Sequence, residues 1–249
     1  MRKTNIFEIS DDVAAISCVI EHANLKIESA TQNKLTVEYP DGVGIQVEPV
    51  GDRLIIAQKL SGLARLLKLA AQPLTIKVPT HIVPSVTVTG DNAKVYIESG
   101  IYGAFEYKSK RGGVKVENAM LASAELKGES VNITIANSTI RGSLICSEAN
   151  GNVNLENIFA SHIDCRVKSG DVGAANLNCR DSAFEANRGN VTATVLGDER
   201  VFGISLTAKD GTCNRESANK EREEATFKAY SAKGNIFVDF IFPDKEAAL

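Results

Sequence analysis

The chain has 249 residues, 43% hydrophobic and 24% charged, with a formal net charge of −3. That length suits one large domain or two small ones, and the acidic balance gives nucleic-acid binding no electrostatic support. No apolar run approaches the roughly 18 residues of a membrane-spanning helix.

At the N-terminus, "MRKTNIFEISDDVAAISCVIEH" carries Glu8, Asp11 and Asp12 before any stretch of signal-peptide quality, so the expected compartment is the cytoplasm. Strand-like runs follow at 24–29 (NLKIES), 34–39 (KLTVEY), 44–48 (GIQVE) and 53–58 (RLIIAQ). The turn-forming "YPDGV" at 39–43 and "VGDR" at 50–53 separate them. Such short connections predict antiparallel hairpins, and residues 1–85 read as a β-rich cap. Within it, "SGLARLLKLAAQP" predicts one short helix near 61–72, capped by Ser61 and stopped by Pro73. Leu63, Leu66, Leu67 and Ala70 share one face of that helix, which either packs over the core or offers a partner-binding stripe.

From residue 86 onward the chain repeats itself. A glycine, a small polar residue and a branched residue recur in "NGNV", "SGDV", "RGNV" and "KGNI". Taking Val95, Val114, Val131, Val153, Val172 and Val191 as markers gives spacings of 19, 17, 22, 19 and 19 residues. Two residues past the last five markers stand Val116, Ile133, Leu155, Ala174 and Ala193; seven before stand Tyr107, Ala124, Cys146, Cys165 and Phe184. These columns are apolar, and those between them are polar. A unit of about 19 residues cannot bury its own apolar side, but copies stacked at the sheet spacing of about 4.8 Å can. The expectation is an all-β fold: a single-stranded parallel β-solenoid over 86–249, right-handed by the crossover rule, with the N-terminal hairpin cap. Cys146 and Cys165 should stack inside it. The charge-dense "NRESANKEREEATFKA" at 214–229 reads as a solvated insertion, and "GNIFVDFIF" at 234–242 as the last strand.

These serial turns, with "PLTIKVPTHI" at 73–82, resemble a bacterial family of unknown function described as a "putative adhesin" with β-strand repeats. The resemblance implies a β-helix-like fold and transfers no catalytic residue.

Chemistry is sparse. The five cysteines are odd in number and form no CxxC pair, and His22, His81 and His162 show no ligand spacing, so neither metal nor other cofactor is expected. Asp164, Arg166 and Lys168, with Arg180 and Asp181 nearby, form the best candidate for cleaving an acidic polysaccharide. The neighbouring positions Ser147 and Glu185 do not extend that charge. A polar strip of Asn132, Thr134, Asn154, Glu156, Thr192 and Thr194 suits contact with a partner. The leading expectation is a non-enzymatic scaffold that binds a protein partner or itself. A polysaccharide-active β-helix enzyme and a polymer-forming cytoskeletal solenoid are the alternatives.

Overall fold

The computed structural model describes residues 4–9, 13–59, 72–218 and 224–242. Fifteen strands form one continuous sheet. The N-terminal set is β1 (Thr4–Ile9), β2 (Ala15–Ala30), β3 (Leu35–Pro40), β4 (Ile45–Val50), β5 (Arg53–Gln58) and β6 (Gln72–Pro79). The middle of the chain supplies β7 (Ser85–Ile97), β8 (Gly100–Glu117), β9 (Ala119–Asn150), β10 (Val153–Ser169), β11 (Val172–Arg188) and β12 (Val191–Leu196). The chain closes with β13 (Phe202–Ala208), β14 (Ala225–Lys233) and β15 (Ile236–Ile241). From β7 to β11 each strand lies parallel to the next, in the solenoid arrangement that the repeats predict. The alternation drives this stacking: in β10, Val153, Leu155, Ile158, Ala160, Ile163, Cys165 and Val167 are buried, and most residues between them face solvent. Cys146 and Cys165 are direct partners in the ladder, both fully buried. The helix expected at 61–72, with Leu63, Leu66, Leu67 and Ala70, lies outside the described residues.

The register corrects one marker. Val114 pairs with Ile133, and Ile133 with Val153, so the spacings there are 19 and 20 residues rather than 17 and 22. Val131 instead pairs with Gly112, the glycine position of the preceding turn. A branched residue standing where the other turns carry glycine disguises the repeat. The neighbouring columns shift with it: Ala124 pairs with Phe105, and Leu126 takes the place beside Tyr107.

In the correct register two asparagine-rich ladders emerge at the corners. The first follows the turn glycines. The side-chain oxygen of Asn132 accepts from the Asn152 N–H at 3.0 Å, Asn152 from Asp171 at 2.9 Å, and Asp171 from Asn190 at 2.7 Å. Asn190 in turn accepts from the Asn235 N–H at 2.9 Å. Each polar residue of the Gly–polar–Val kernel therefore caps the backbone of the next rung, which explains why the kernel recurs. The second ladder comprises Asn118, Asn137, Asn157 and Asn176, all in the left-handed region with φ between 49° and 55°. Asn157 donates to Asn137 at 2.7 Å, and Asn176 donates to Asn157 at 2.9 Å. Asparagine tolerates this conformation, and the stacked amides satisfy one another. Asn157→Ala puts alanine, which tolerates the left-handed region less well than asparagine, at this corner and removes both amide bonds. It is expected to lower stability by about 2 kcal/mol in urea denaturation. Asn157→Gly, which relieves the strain but not the lost bonds, should fall between that variant and the wild type.

Both ends of the stack depart from chain order. Parallel pairing reaches back to β2, which lies between β7 and the β5–β6 rung. Thus 15–30 sits inside 53–58 and 72–79, although it comes earlier in the sequence. At the other end β14 lies between β11 and β13, and β15 pairs with β12. Residues 225–229, read above as part of a charged insertion, open β14, and 202–208 form the outer rung. The aromatic rings explain why β14 is inside: Phe227 packs against Phe184 at 5.6 Å and Phe240 at 6.1 Å between ring centres. The β5–β6 rung and β13 are covered antiparallel, and the outer edge of β15 meets Cys213 in a parallel bridge. β4 lies on β5, β3 and then β1 cover β6, and Ala218 bridges Ile204 through two backbone hydrogen bonds of 2.8 Å. Such covers blunt the raw strand edges of an open sheet.

Candidate functional site

The outer face beside the first ladder holds a groove with a volume of about 500 Å³. Two columns border it. One runs Pro73, Asn24, Lys94, Gly113, Asn132; the other runs Thr75, Lys26, Tyr96, Lys115, Thr134. Between them Leu25, Val95 and Val114 turn their side chains into the core, so the groove floor is their backbone. The notch opens at Gly113, where a side chain is missing between Lys94 and Asn132. A Cβ there would meet nothing closer than the Asn132 carbonyl oxygen at 3.4 Å. At the adjacent Gly112, with φ +130°, a Cβ would lie 2.0 Å from the Ala93 carbonyl oxygen. The fold demands glycine at 112 and not at 113.

The charges along this groove are largely matched. Lys26 pairs with Glu28 at 2.6 Å and also with Glu98. Lys115 pairs with Glu117 at 2.8 Å and stands 5.1 Å from the centre of the Tyr96 ring. The Tyr96 hydroxyl donates to Glu117 at 2.7 Å, which raises the tyrosine pKa to about 12 and fixes the ring. Lys94 is exposed and makes no ion pair among the described residues.

The predicted polar strip continues this face. Thr134, Asn154 and Thr192 stack in the column of Tyr96 and Lys115, with Gly173 between the last two and the exposed Phe237 at its end. Glu156 lies two residues along, between Ala136 and Ala175, and Thr194 pairs with Asp239. Asn132 belongs instead to the corner ladder, where its oxygen is already engaged. The six residues therefore share a side of the molecule but not one row, for the same reason that Val131 was misplaced. Sequence parity places Tyr107 and Phe184 inside, where they are buried. It overlooked Tyr96, which stands outward one residue past Val95.

The Asp164–Arg166 cluster is tied up in itself. Arg166 donates to both oxygens of Asp164, at 2.9 and 2.7 Å, and its ladder neighbours are Ser147 and Glu185. A smaller hollow of about 290 Å³ beside it is lined by Ala183, Lys228 and Tyr230. His22 takes Asn92 as its ring partner at 2.8 Å.

One interior group had no place in the sequence reading. Glu148 is 5% exposed and points into the core in line with Val167, with neither carboxylate oxygen at bonding geometry to a partner. Room for it comes from Gly128, whose added Cβ would lie 2.5 Å from its Oε2. Burial pushes its pKa from the ordinary 4.5 up to about 8, and the Val131 backbone offsets only part of that. Burial also raises Cys18 and Cys179 to about 12. The Cys146 thiol is held well above its ordinary value, first by its contact with Cys165 and then by burial. These thiols are inert as nucleophiles.

The geometry defines a capped parallel β-solenoid with a polar, grooved side and covered ends. Residues 13–240 match the family model described as Toastrack DUF4097, and the chain belongs to that family. Among solved structures it is similar to a protein from Bacteroides fragilis described as a "putative adhesin", at 16% identity and a TM-score of 0.61, over 97% of this chain and 98% of that one. A second such protein, from Parabacteroides merdae, matches at 14% identity and a TM-score of 0.51, over 96% of each chain. At these identities the likeness is one of fold. No curated protein matches the chain.

Proposed function

We propose that this protein is a non-enzymatic interaction scaffold that presents its long polar side to a protein partner. The observation carrying this reading is the contrast between ends and sides. Antiparallel strands cover the outer rung at one end and bridges cover the other end, while the side from Pro73 to Phe237 runs open across the stack. Covered ends disfavour polymer growth by end-to-end stacking. Arg166, the central cation of the polysaccharide-cleaving alternative, is already engaged by Asp164, which disfavours that alternative. The similar solved proteins described as "putative adhesin" are consistent with a binding role.

The test is recovery of a partner from native lysate with immobilised protein, comparing wild type with the double variant Asn154→Arg, Thr192→Arg. Both positions are exposed, so the fold should be untouched. Loss of a specific band is the expected result, and equal recovery would reject this face. Sedimentation over a range of concentrations checks self-association; filaments would favour end-to-end stacking instead.

A further inference from the structure

We propose that the groove between Lys94 and Tyr96 is a binding site for a small carboxylate with an apolar ring. This goes beyond the scaffold reading and does not depend on it. Three observations on the groove converge.

The first is steric. Gly113 opens the notch without any backbone need for glycine, since its conformation and surroundings accept a side chain. The second is electrostatic. Of the three lysines lining the groove, Lys26 pairs with Glu28 and Glu98 and Lys115 with Glu117, so Lys94 is the one lysine of the wall with no ion-pair partner among the described residues. Its ammonium is the group open to a carboxylate, in a wall whose lysines and their paired glutamates balance in number. The third concerns the body of the ligand. The walls are the Pro73 ring, the Tyr96 ring and the lysine stems; the Tyr96 hydroxyl is committed to Glu117 and the Asn132 oxygen to Asn152, which leaves chiefly the Thr75 hydroxyl and the Asn132 amide N–H among the neutral polar side chains. Few groups are left to satisfy the hydroxyls of a sugar, whereas an apolar ring needs none. Mostly carbon walls with a few convergent polar groups are the usual make-up of a small-molecule site, and a lysine beside an aromatic ring suits an aromatic anion.

The experiment titrates the full-length protein with 2-naphthoate, followed by ligand fluorescence and calorimetry at low ionic strength. Saturable binding of one equivalent is expected, weakened at least fivefold in Lys94→Gln and abolished in Gly113→Leu, which fills the notch. Neutral 2-naphthamide should bind more weakly than naphthoate to the wild type and equally to wild type and Lys94→Gln. Galacturonate, an acidic sugar, should not compete. Absence of saturable binding overturns the proposal, as does binding that survives Gly113→Leu in a protein with wild-type circular dichroism. Better binding of galacturonate overturns the ring class. If Gly113→Leu fails to fold, Lys94→Gln with the naphthoate–naphthamide pair decides: a charge-dependent loss supports the site, and equal affinities reject it.

Discussion

Gly170→Ala is expected to lower the stability of the protein by at least about 3 kcal/mol, whereas Gly113→Ala, in an equivalent-looking glycine turn, changes it by no more than about 0.5 kcal/mol. At Gly170 the backbone has φ +142°, and an added Cβ would lie 2.0 Å from the carbonyl oxygen of Gly151 on the next rung. That oxygen is backbone, held between rungs at the sheet spacing, and cannot move aside without opening the Gly–polar–Val corner. Backbone strain and steric overlap together should cost at least about 3 kcal/mol. Urea denaturation should show a midpoint lowered by about 1.5 M for an m-value near 2 kcal/mol/M. Equal midpoints for the two variants would mean that the rungs do not approach as closely at Gly170 as described.

Glu148 supplies the second large effect, through pH. Its folded-state pKa lies above the ordinary value, because its carboxylate is buried without a bonded partner. Below about pH 4.5 the group is protonated in both states, and its titration contributes nothing unfavourable. As pH rises from 4.5 to about 8 the unfolded chain releases this proton while the folded chain retains it, so stability falls. Above about 8 both states are ionised and the loss levels off. The interval corresponds to at most about 5 kcal/mol. Glu148→Gln removes the titration, so the difference in stability between this variant and the wild type should move steadily in the variant's favour across that window. A constant difference from pH 5 to 8.5 would mean that Glu148 is not buried in the folded protein.

The sequence displays the periodicity of the stack openly but conceals its exact phase in one rung. Alternation and serial glycine turns point to rungs because burial is a local property of each strand, and Cys146 against Cys165 follows from equal spacing alone. Val131 hides the repeat because it occupies a turn position that glycine holds elsewhere, and the Asn118–Asn176 ladder disappears from view with it. Realigning on Ile133 puts an asparagine four residues after each of four successive markers, a signal that was present in the residues. Parity likewise places Glu148 inward, in phase with Leu144 and Cys146, but a lone acid in a core column contradicts the usual reading of charge. The inserted end rungs were not legible. Residues 202–208 and 225–231 carry interchangeable inward patterns, and the choice of β14 as the inner rung rests on contacts of Phe227 with Phe184 and Phe240 that no local pattern encodes. The groove depends on a missing side chain at Gly113 between residues of neighbouring rungs, so it appears only once the register is known.

The rungs stack in register, in an order that differs from chain order at the ends. Nuclear Overhauser contacts among the Val, Ile and Leu methyl groups measure both properties at once. The prediction is a chain of neighbours running Leu25, Val95, Val114, Ile133, Val153, Val172, Val191 and Ile236, with Leu74 beside Leu25 at the other end. A spectrum in which Ile133 does not meet Val153, or Ile236 does not meet Val191, would contradict it.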